Sequence, residues 1–168
     1  MENLDYKVNP KLIPPVILAM LSGMGLIIIS IIKNHNFLFF IVLTPFLYLG
    51  LEILSRKIIL NTQGLTIHKL FRSKHLDWSE IVNVDSMRTG SKIFLILQTS
   101  KTRPVIITNT IASFPDLANK IIQSVPSDKV AEAVKEISRG TPQKLWPLVQ
   151  AWLIFAIFFS VMIGKLLE

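Results

Sequence analysis

The residues of this chain with the clearest capacity for chemistry are basic. Lys69, Arg72, Lys74 and His75 fall within one short stretch near the middle of its 168 residues. Basic side chains grouped in this way attract anions, including the headgroups of an anionic membrane. We therefore predict that these four residues contact a membrane surface or a partner.

Metal binding and catalysis find little support in the same stretch. A second histidine, His68, lies near His75, but no third ligand has a spacing that suits a metal ion, and the chain has no cysteine. The motifs G-x-S-x-G and H-E-x-x-H and a glycine-rich phosphate loop are all missing. The sequence therefore predicts no metal, no cofactor and no enzyme activity.

Glu52 is the one charged residue inside the long apolar runs of the chain. An ionisable group in a membrane-spanning helix is a candidate for proton or cation transfer. However, Arg56 follows four residues later, which is the spacing at which side chains meet on a helix. We favour an interfacial salt bridge between Glu52 and Arg56, because no other charged or histidine side chain lies within an apolar run to build a pathway.

Three long apolar runs must position this chemistry. Hydrophobic residues make up 51% of the chain and charged residues 17%, and the mean hydropathy is +0.51, which is too apolar for an ordinary soluble domain. A hydrocarbon core about 30 Å thick requires roughly 20 helical residues to cross. The runs predict three transmembrane helices, at 12–32, 37–54 and 145–164. The first run is too long for the apolar part of a signal peptide and is expected to be retained.

These spans divide the chain into four parts. Residues 1–55 are expected to form a transmembrane hairpin, 56–126 a small domain, 127–144 a charged connector helix and 145–168 the third transmembrane helix. Between residues 55 and 144 there are fourteen Lys or Arg against seven Asp or Glu, so this segment carries the whole net charge of +7. Because positive residues near membrane ends favour the cytoplasmic side, we predict a cytoplasmic N-terminus and domain, with the hairpin loop and the C-terminus outside.

Alternating polar and apolar residues predict five or six short antiparallel strands in the domain. Two of them are joined at Gln63 and Gly64, where glycine is expected to supply the positive φ of a tight turn. The run KIFLILQT is apolar on both faces, as in a strand that is covered on both sides. An amphipathic helix is expected from about residue 113 to 125, and a second helix, a connector outside the core, from about 127 to 139.

Trp78 is interpreted as a core residue that packs beneath the turn after its strand. Its indole N–H is then expected to bond to a nearby carbonyl, because buried Trp side chains usually find such a partner. The alternative is an aromatic side chain that lines a binding pocket. The first interpretation makes Trp78 part of the fold and directs the search for function to exposed polar positions.

The order of these elements resembles a known family. A strand pair with GLTI, a strand ending in LDWSEI, a long apolar strand, one further strand and a closing amphipathic helix look like the bacterial pleckstrin-homology-like (PH-like) domains of small integral membrane proteins. The resemblance covers residues 56–125. It implies a small α+β domain, a partly open and bent antiparallel barrel capped by a C-terminal helix, in the bacterial cytoplasmic (inner) membrane. It implies no catalytic residues, and the loop NTQG lacks the basic residues that phosphoinositide-binding relatives carry in the first hairpin loop.

Together these features predict a binding or scaffolding module displayed at the cytoplasmic surface of a membrane by transmembrane α-helices. Its expected partners are the lipid bilayer, anionic lipid headgroups, and a second copy of the chain or another membrane protein. The alternative is an accessory subunit of a transporter or of an envelope membrane complex. Nucleic acid is not expected as a partner, because the domain is tethered to a membrane and shows no interleaved aromatic platform.

Overall fold

The computed structural model describes residues 4–34, 37–100, 103–138 and 146–167. Short 3₁₀ turns occur at Pro10–Leu12, Trp78–Glu80 and Ser127–Lys129. In chain order the other elements are β1 (Leu4–Lys7), α1 (Ile13–Asn34), α2 (Leu38–Ser55), β2 (Lys57–Leu60), β3 (Gly64–Lys69), β4 (Arg72–Asp77), β5 (Ile81–Thr89), β6 (Lys92–Thr99), β7 (Val105–Thr108), α3 (Phe114–Ser124), α4 (Glu132–Ser138) and α5 (Trp146–Leu167).

The chain forms two compact units. The α+β unit, from Met1–Asn9 and Arg56–Lys144, contains the strands together with α3 and α4. The apolar unit, from Pro10–Ser55 and Leu145–Glu168, contains α1, α2 and α5. The predicted combination of apolar helices with an α+β unit is therefore confirmed. Residues 4–9 belong to the α+β unit, although the predicted boundary placed them with the apolar hairpin.

The apolar unit is organised around α1, which packs against both α2 and α5. Ala19 and Gly23 lie buried on one face of α1, and a Cβ added at Gly23 would lie 3.6 Å from side-chain atoms of Leu47 and Phe158. Small residues let helix backbones approach closely in this way.

By length and composition, two helices are able to cross a membrane: Pro10–Lys33 and Trp146–Leu167. This finding is consistent with a membrane-associated protein. The apolar helix between them, Phe39–Ser55, is shorter. The third span therefore stays a prediction.

The first sheet is antiparallel, in the order β1-β2-β3-β4. Its strand β1 was not predicted; it pairs with β2 across the whole apolar hairpin, with Leu4 opposite Leu60 and Lys7 opposite Lys57. The alternation of apolar and polar residues in LDYKVN is the signal that could have found it. One face of this sheet lies in the core, at Ile58, Leu60, Leu65 and Leu76.

The second sheet is antiparallel, in the order β5-β6-β7. Its buried face includes Val84, Leu95, Leu97 and Ile107. The two sheets are linked on one side by a bridge between Val8 and Ile111 and by a 2.8 Å hydrogen bond from the Asn9 amide to the Thr110 carbonyl. Within the described residues, neither sheet closes on itself.

Helices α3 and α4 complete the core of the α+β unit. On α3 the buried residues are Phe114, Leu117, Ala118 and Ile121. The helix α4 is shorter than the one predicted at 127–139, and both Val134 and Ile137 on its narrow face are buried. Because Val130 also bridges to Val84 of β5, this segment is part of the core and not a connector outside it. Residues 139–144, which the predicted connector also included, lie outside the described residues.

Gly64 lies where the backbones of β3 and β4 come very close. Its φ is not positive, contrary to the prediction; among the described glycines only Gly90 has a positive φ, of 60°. A Cβ added at Gly64 would lie 2.8 Å from the carbonyl carbon of Leu76 and closer still to its oxygen. The turn itself is held by Asn61, whose side-chain oxygen accepts hydrogen bonds from the amides of Gln63 (3.1 Å) and Gly64 (2.7 Å). Glycine is therefore needed for the close approach of two strands.

Candidate functional site

The hairpin of β3 and β4 carries the four candidate residues. Its strands stay in register up to Lys69 and Arg72, so that only Leu70 and Phe71 form the turn. Lys69 and Arg72 are exposed and lie directly opposite each other. Phe71 is 80% exposed. The tip of this hairpin therefore presents an aromatic side chain between two cations.

The other two candidates are tied into the domain. Lys74 is half-buried, and its Nζ donates a hydrogen bond of 2.8 Å to the carbonyl of Arg103. His75 lies on the opposite face of β4, because successive strand residues alternate. Its Nδ1 is 2.8 Å from Thr66 Oγ1, and its Nε2 is 3.2 Å from Asp77 Oδ1. Lys69, Arg72 and Lys74 therefore share one face of the hairpin, with Lys69 and Arg72 at its tip, and His75 lies on the other face; contact of the four residues with a partner stays a prediction.

The tip lies at the end of the first sheet where the chain continues into the apolar helices. β1 ends at Lys7, three residues before Pro10, and β2 begins at Lys57, two residues after Ser55. Lys57, the first residue of β2, lies opposite His68 of β3. The β3–β4 turn follows His68 in the chain and therefore lies at this same end of the sheet. We call this region, residues 7–9, 56–57 and 68–73, the helix-joined end.

Further cations at the helix-joined end were not recognised as a group in the sequence. Lys7 and Lys57 lie opposite each other, and Lys57 forms an ion pair of 2.8 Å with Asp5. Within the described part of the chain, neither Lys69 nor Arg72 has an ion-pair partner. Strand register brings these residues together across long sequence separations, so local spacing could not reveal the group.

The hairpin of β5 and β6 also reaches the helix-joined end. Its turn at residues 90–91 is flanked by the exposed cations Arg88 and Lys92. Asn109 ties this turn in place, because its side-chain amide donates a hydrogen bond of 3.0 Å to the carbonyl of Ser91. The residue that follows Asn109 accepts a hydrogen bond from the amide of Asn9. A second basic hairpin tip thus lies at the same end of the unit as the first.

Trp78 lies at the opposite end of the first sheet. Its indole N–H donates a hydrogen bond of 3.2 Å to the carbonyl of Asn61, which confirms the predicted kind of bond, and its amide bonds to the carbonyl of Gln63 at 3.1 Å. The side chain is half-buried, so it fixes the β2–β3 turn from the edge of the core. The acidic residues Asp77 and Glu80 adjoin it in the chain. The sheet is therefore basic at the helix-joined end and acidic at the other.

Tyr6 connects β1 to the helix that covers the core. Its hydroxyl donates a hydrogen bond of 2.6 Å to Oδ2 of Asp116, in the first turn of α3. Burial of the phenol, and then the hydrogen bond and negative charge of Asp116, raise the pKa of Tyr6 above its usual value. This contact holds the first strand, and with it the helix-joined end, against the rest of the α+β unit.

Glu52 is buried in the apolar unit, and its carbonyl accepts a hydrogen bond of 3.0 Å from the hydroxyl of Ser55. The salt bridge from Glu52 to Arg56 stays a prediction. Among the residues that the structure describes, no group of three or more His, Cys, Asp or Glu is arranged to hold a metal ion.

The site as a whole offers fixed positive charge and one exposed aromatic side chain. Cations attract anionic surfaces, and an exposed aromatic side chain adds apolar contact. In comparisons with known proteins, no family model, curated protein or solved structure matches the chain.

Proposed function

We propose that this chain is an integral membrane protein that displays a PH-like module at the cytoplasmic membrane surface, where it binds or scaffolds without catalysis. The observation that carries this proposal is the order of elements along the chain: the two apolar helices α1 and α2 come between two strands that are neighbours in one sheet. β1 precedes α1, β2 follows α2, and the two strands pair with each other. Once the helices are in a bilayer, the α+β unit is held at its surface.

The pairing of β1 with β2 also bears on the number of crossings. Because both strands belong to one sheet, the segment between them has to leave and return on the same side of the bilayer. α1 is long enough to cross. α2 has 18 residues, so it is about 27 Å long, close to the hydrocarbon thickness of about 30 Å. If α1 crosses, α2 has to return, and α5 adds a third crossing after the α+β unit.

A PH-like fold is supported by the order and contacts of the elements. The resemblance carried by GLTI and LDWSEI implies a bent, partly open antiparallel barrel that a helix caps. Two antiparallel sheets bridged at Val8 and Ile111, with α3 covering the core after the last strand, fit such a barrel.

The proposed orientation rests on the distribution of charge. Four cations adjoin the ends of the helix pair that lead into the α+β unit: Lys7, Lys11, Arg56 and Lys57. At the other end of the helix pair, from Lys33 to Phe37, the only Lys or Arg in the sequence is Lys33, in the last turn of α1. Positive residues near membrane ends favour the cytoplasmic side, and the resemblance to bacterial proteins favours the inner membrane.

Cysteine labelling tests this proposal directly, because the chain has no cysteine of its own. Cells that express Asn34→Cys or Thr62→Cys are treated with a membrane-impermeant thiol reagent. We expect Asn34→Cys to react in intact cells, Thr62→Cys to react only after lysis, and the protein to resist extraction with alkaline carbonate. Reaction of Thr62→Cys in intact cells would invert the orientation, and release by carbonate would remove the membrane proposal itself.

A second candidate function is that of an accessory subunit of a transporter or envelope complex. It is favoured by the outer face of the second sheet, which was predicted to be covered. Met87 is 52% and Ile106 57% exposed, beside the half-buried Phe94 and Ile96. Light scattering in mild detergent distinguishes the candidates. A protein mass of two or more times 19.0 kDa, with no other protein present, favours self-scaffolding. A stoichiometric foreign subunit, lost in the double variant Met87→Asp and Ile106→Asp, favours the accessory role.

A further inference from the structure

We infer that the helix-joined end is a membrane-contact surface, in which Phe71 enters the bilayer interface and Lys69 and Arg72 contact anionic phosphate headgroups. The contact requires a bilayer beside this end, so it rests on the proposed function. It goes further by naming lipid as the partner of the α+β unit and by assigning the contact to particular side chains.

Phe71 is the first observation that supports this contact. At 80% exposure it is the most exposed large hydrophobic side chain in the described part of the α+β unit. A two-residue hairpin turn favours Gly, Asn or Asp, so turn chemistry gives no reason for Leu70 and Phe71. An interface between headgroups and acyl chains accommodates Phe and Leu beside cations, as the apolar faces of interfacial helices show.

Strand register supplies the second observation. The row formed by Lys57 and His68 marks where β2 begins. One residue beyond this row along the chain are Arg56, which precedes β2, and Lys69, the last residue of β3. The next residues are the end of α2 on one side and the β3–β4 turn on the other. The hairpin tip therefore lies at the same end of the first sheet as the point where the chain enters β2 from α2.

Charge complementarity supplies the third observation. The two hairpin tips at this end carry Lys69, Arg72, Arg88 and Lys92, all of them exposed. Each such charge close to an anionic leaflet raises the ratio of membrane-bound to unbound hairpin tips roughly fivefold. An anionic bilayer therefore fits this end better than a neutral protein surface would.

Spin labels on single cysteines of the full chain, reconstituted in nanodiscs of phosphatidylglycerol, measure the depth of the tip. Phe71→Cys reports on the tip, and Thr62→Cys, exposed at the opposite end of the same sheet, is the aqueous control. Leu153→Cys, on an exposed face of α5, reports on insertion of the apolar unit. We expect the labels at 71 and 153 to be more accessible to oxygen than to a water-soluble nickel chelate, and the label at 62 to show the opposite preference.

A reporter at Ser73→Cys leaves the tip residues in place and tests the role of charge. The double variant Lys69→Glu and Arg72→Glu should lower the bound-to-free ratio of the tip at least roughly 25-fold, because two attractive charges are lost. The matched control, Lys69→Arg with Arg72→Lys, keeps both charges and should keep the contact. Replacing phosphatidylglycerol by phosphatidylcholine, or raising the salt concentration, should have the same effect as charge reversal.

The outcomes separate this contact from the proposed function. A label at 153 in lipid with a label at 71 in water would refute the contact surface and leave the membrane protein intact. A label at 153 in water would refute both. Insertion at 71 that charge reversal and neutral lipid leave unchanged would overturn the headgroup contact of Lys69 and Arg72.

Discussion

The substitution Gly64→Ala should break the first sheet at the end that carries the β2–β3 turn. The added Cβ would lie 2.8 Å from the carbonyl carbon of Leu76 and 2.9 Å from Cα of Asp77, whereas ordinary contacts begin at 3.4 Å. All of these atoms belong to the backbone of β4, so rotation of a side chain cannot relieve the clash. β3 and β4 therefore have to separate, and their hydrogen bonds lengthen beyond the usual range.

We expect Gly64→Ala to lower the free energy of unfolding by about 3 to 5 kcal/mol. Overpacking a well-packed site costs about 1 to 3 kcal/mol. Moving Gly64 away from β4 also disturbs the turn, where its amide and carbonyl bond to Asn61 at 2.7 and 3.0 Å, and each hydrogen bond lost adds about 1 kcal/mol. A domain with a total stability of about 5 to 15 kcal/mol is then close to unfolding.

Thermal unfolding of the full chain in nanodiscs, followed by circular dichroism, measures this loss. The matched control is Gly90→Ala, because no heavy atom lies within 4 Å of a Cβ there and only the positive φ of 60° is strained, at a cost of about 1 to 2 kcal/mol. Gly64→Ala should melt roughly 4 °C or more below Gly90→Ala. Equal melting temperatures would show that the two strands separate without cost at Gly64, and the close approach would not explain the glycine.

Two further predictions concern hydrogen bonds in the α+β unit. Tyr6→Phe should lower the free energy of unfolding by about 1.5 to 3 kcal/mol at neutral pH, because the bond to the Asp116 carboxylate is lost. Burial and Asp116 raise the pKa of Tyr6 in the folded state above its usual value of about 10. This stabilisation is therefore complete below about pH 10 and is lost as the pH rises above it; an equal alkaline loss in Tyr6→Phe would contradict the assignment. Trp78→Phe removes the bond to the Asn61 carbonyl and should cost about 1 kcal/mol, and an unchanged melting temperature would revive the binding-pocket interpretation.

The apolar helices were predictable because long apolar runs determine them locally. The first was expected at 12–32 and is Ile13–Asn34, and the last was expected at 145–164 and is Trp146–Leu167. β1 was missed because the alternating segment has only four residues in the strand and lies beside a long helical signal. Its partner strand β2 follows in the sequence only after the whole apolar hairpin. Pairing at such a separation depends on tertiary contacts that no local pattern contains.

The candidate site was predictable only in part. Lys69 and Arg72 were correctly placed beside a turn, but strand alternation separates Lys74 from His75, and their hydrogen bonds direct them to Arg103 and Thr66. Because successive side chains of a strand point to opposite faces, the sequence alone could have placed Lys74 and His75 on different faces of β4. The contribution of the second hairpin was not predictable, because it depends on the contact between Asn109 and Ser91.

The distribution of charge matters more to a membrane contact than the net charge of +7. β3 has six residues, so it spans about 20 Å at a rise of about 3.3 Å per residue. Electrostatic attraction is screened beyond roughly 8 to 10 Å at physiological salt. Acidic residues such as Asp77 and Glu80, at the far end of the first sheet, therefore do not offset the attraction of the two basic tips to an anionic leaflet. The same length explains why Thr62, at that far end, is a suitable aqueous control for a label at the tip.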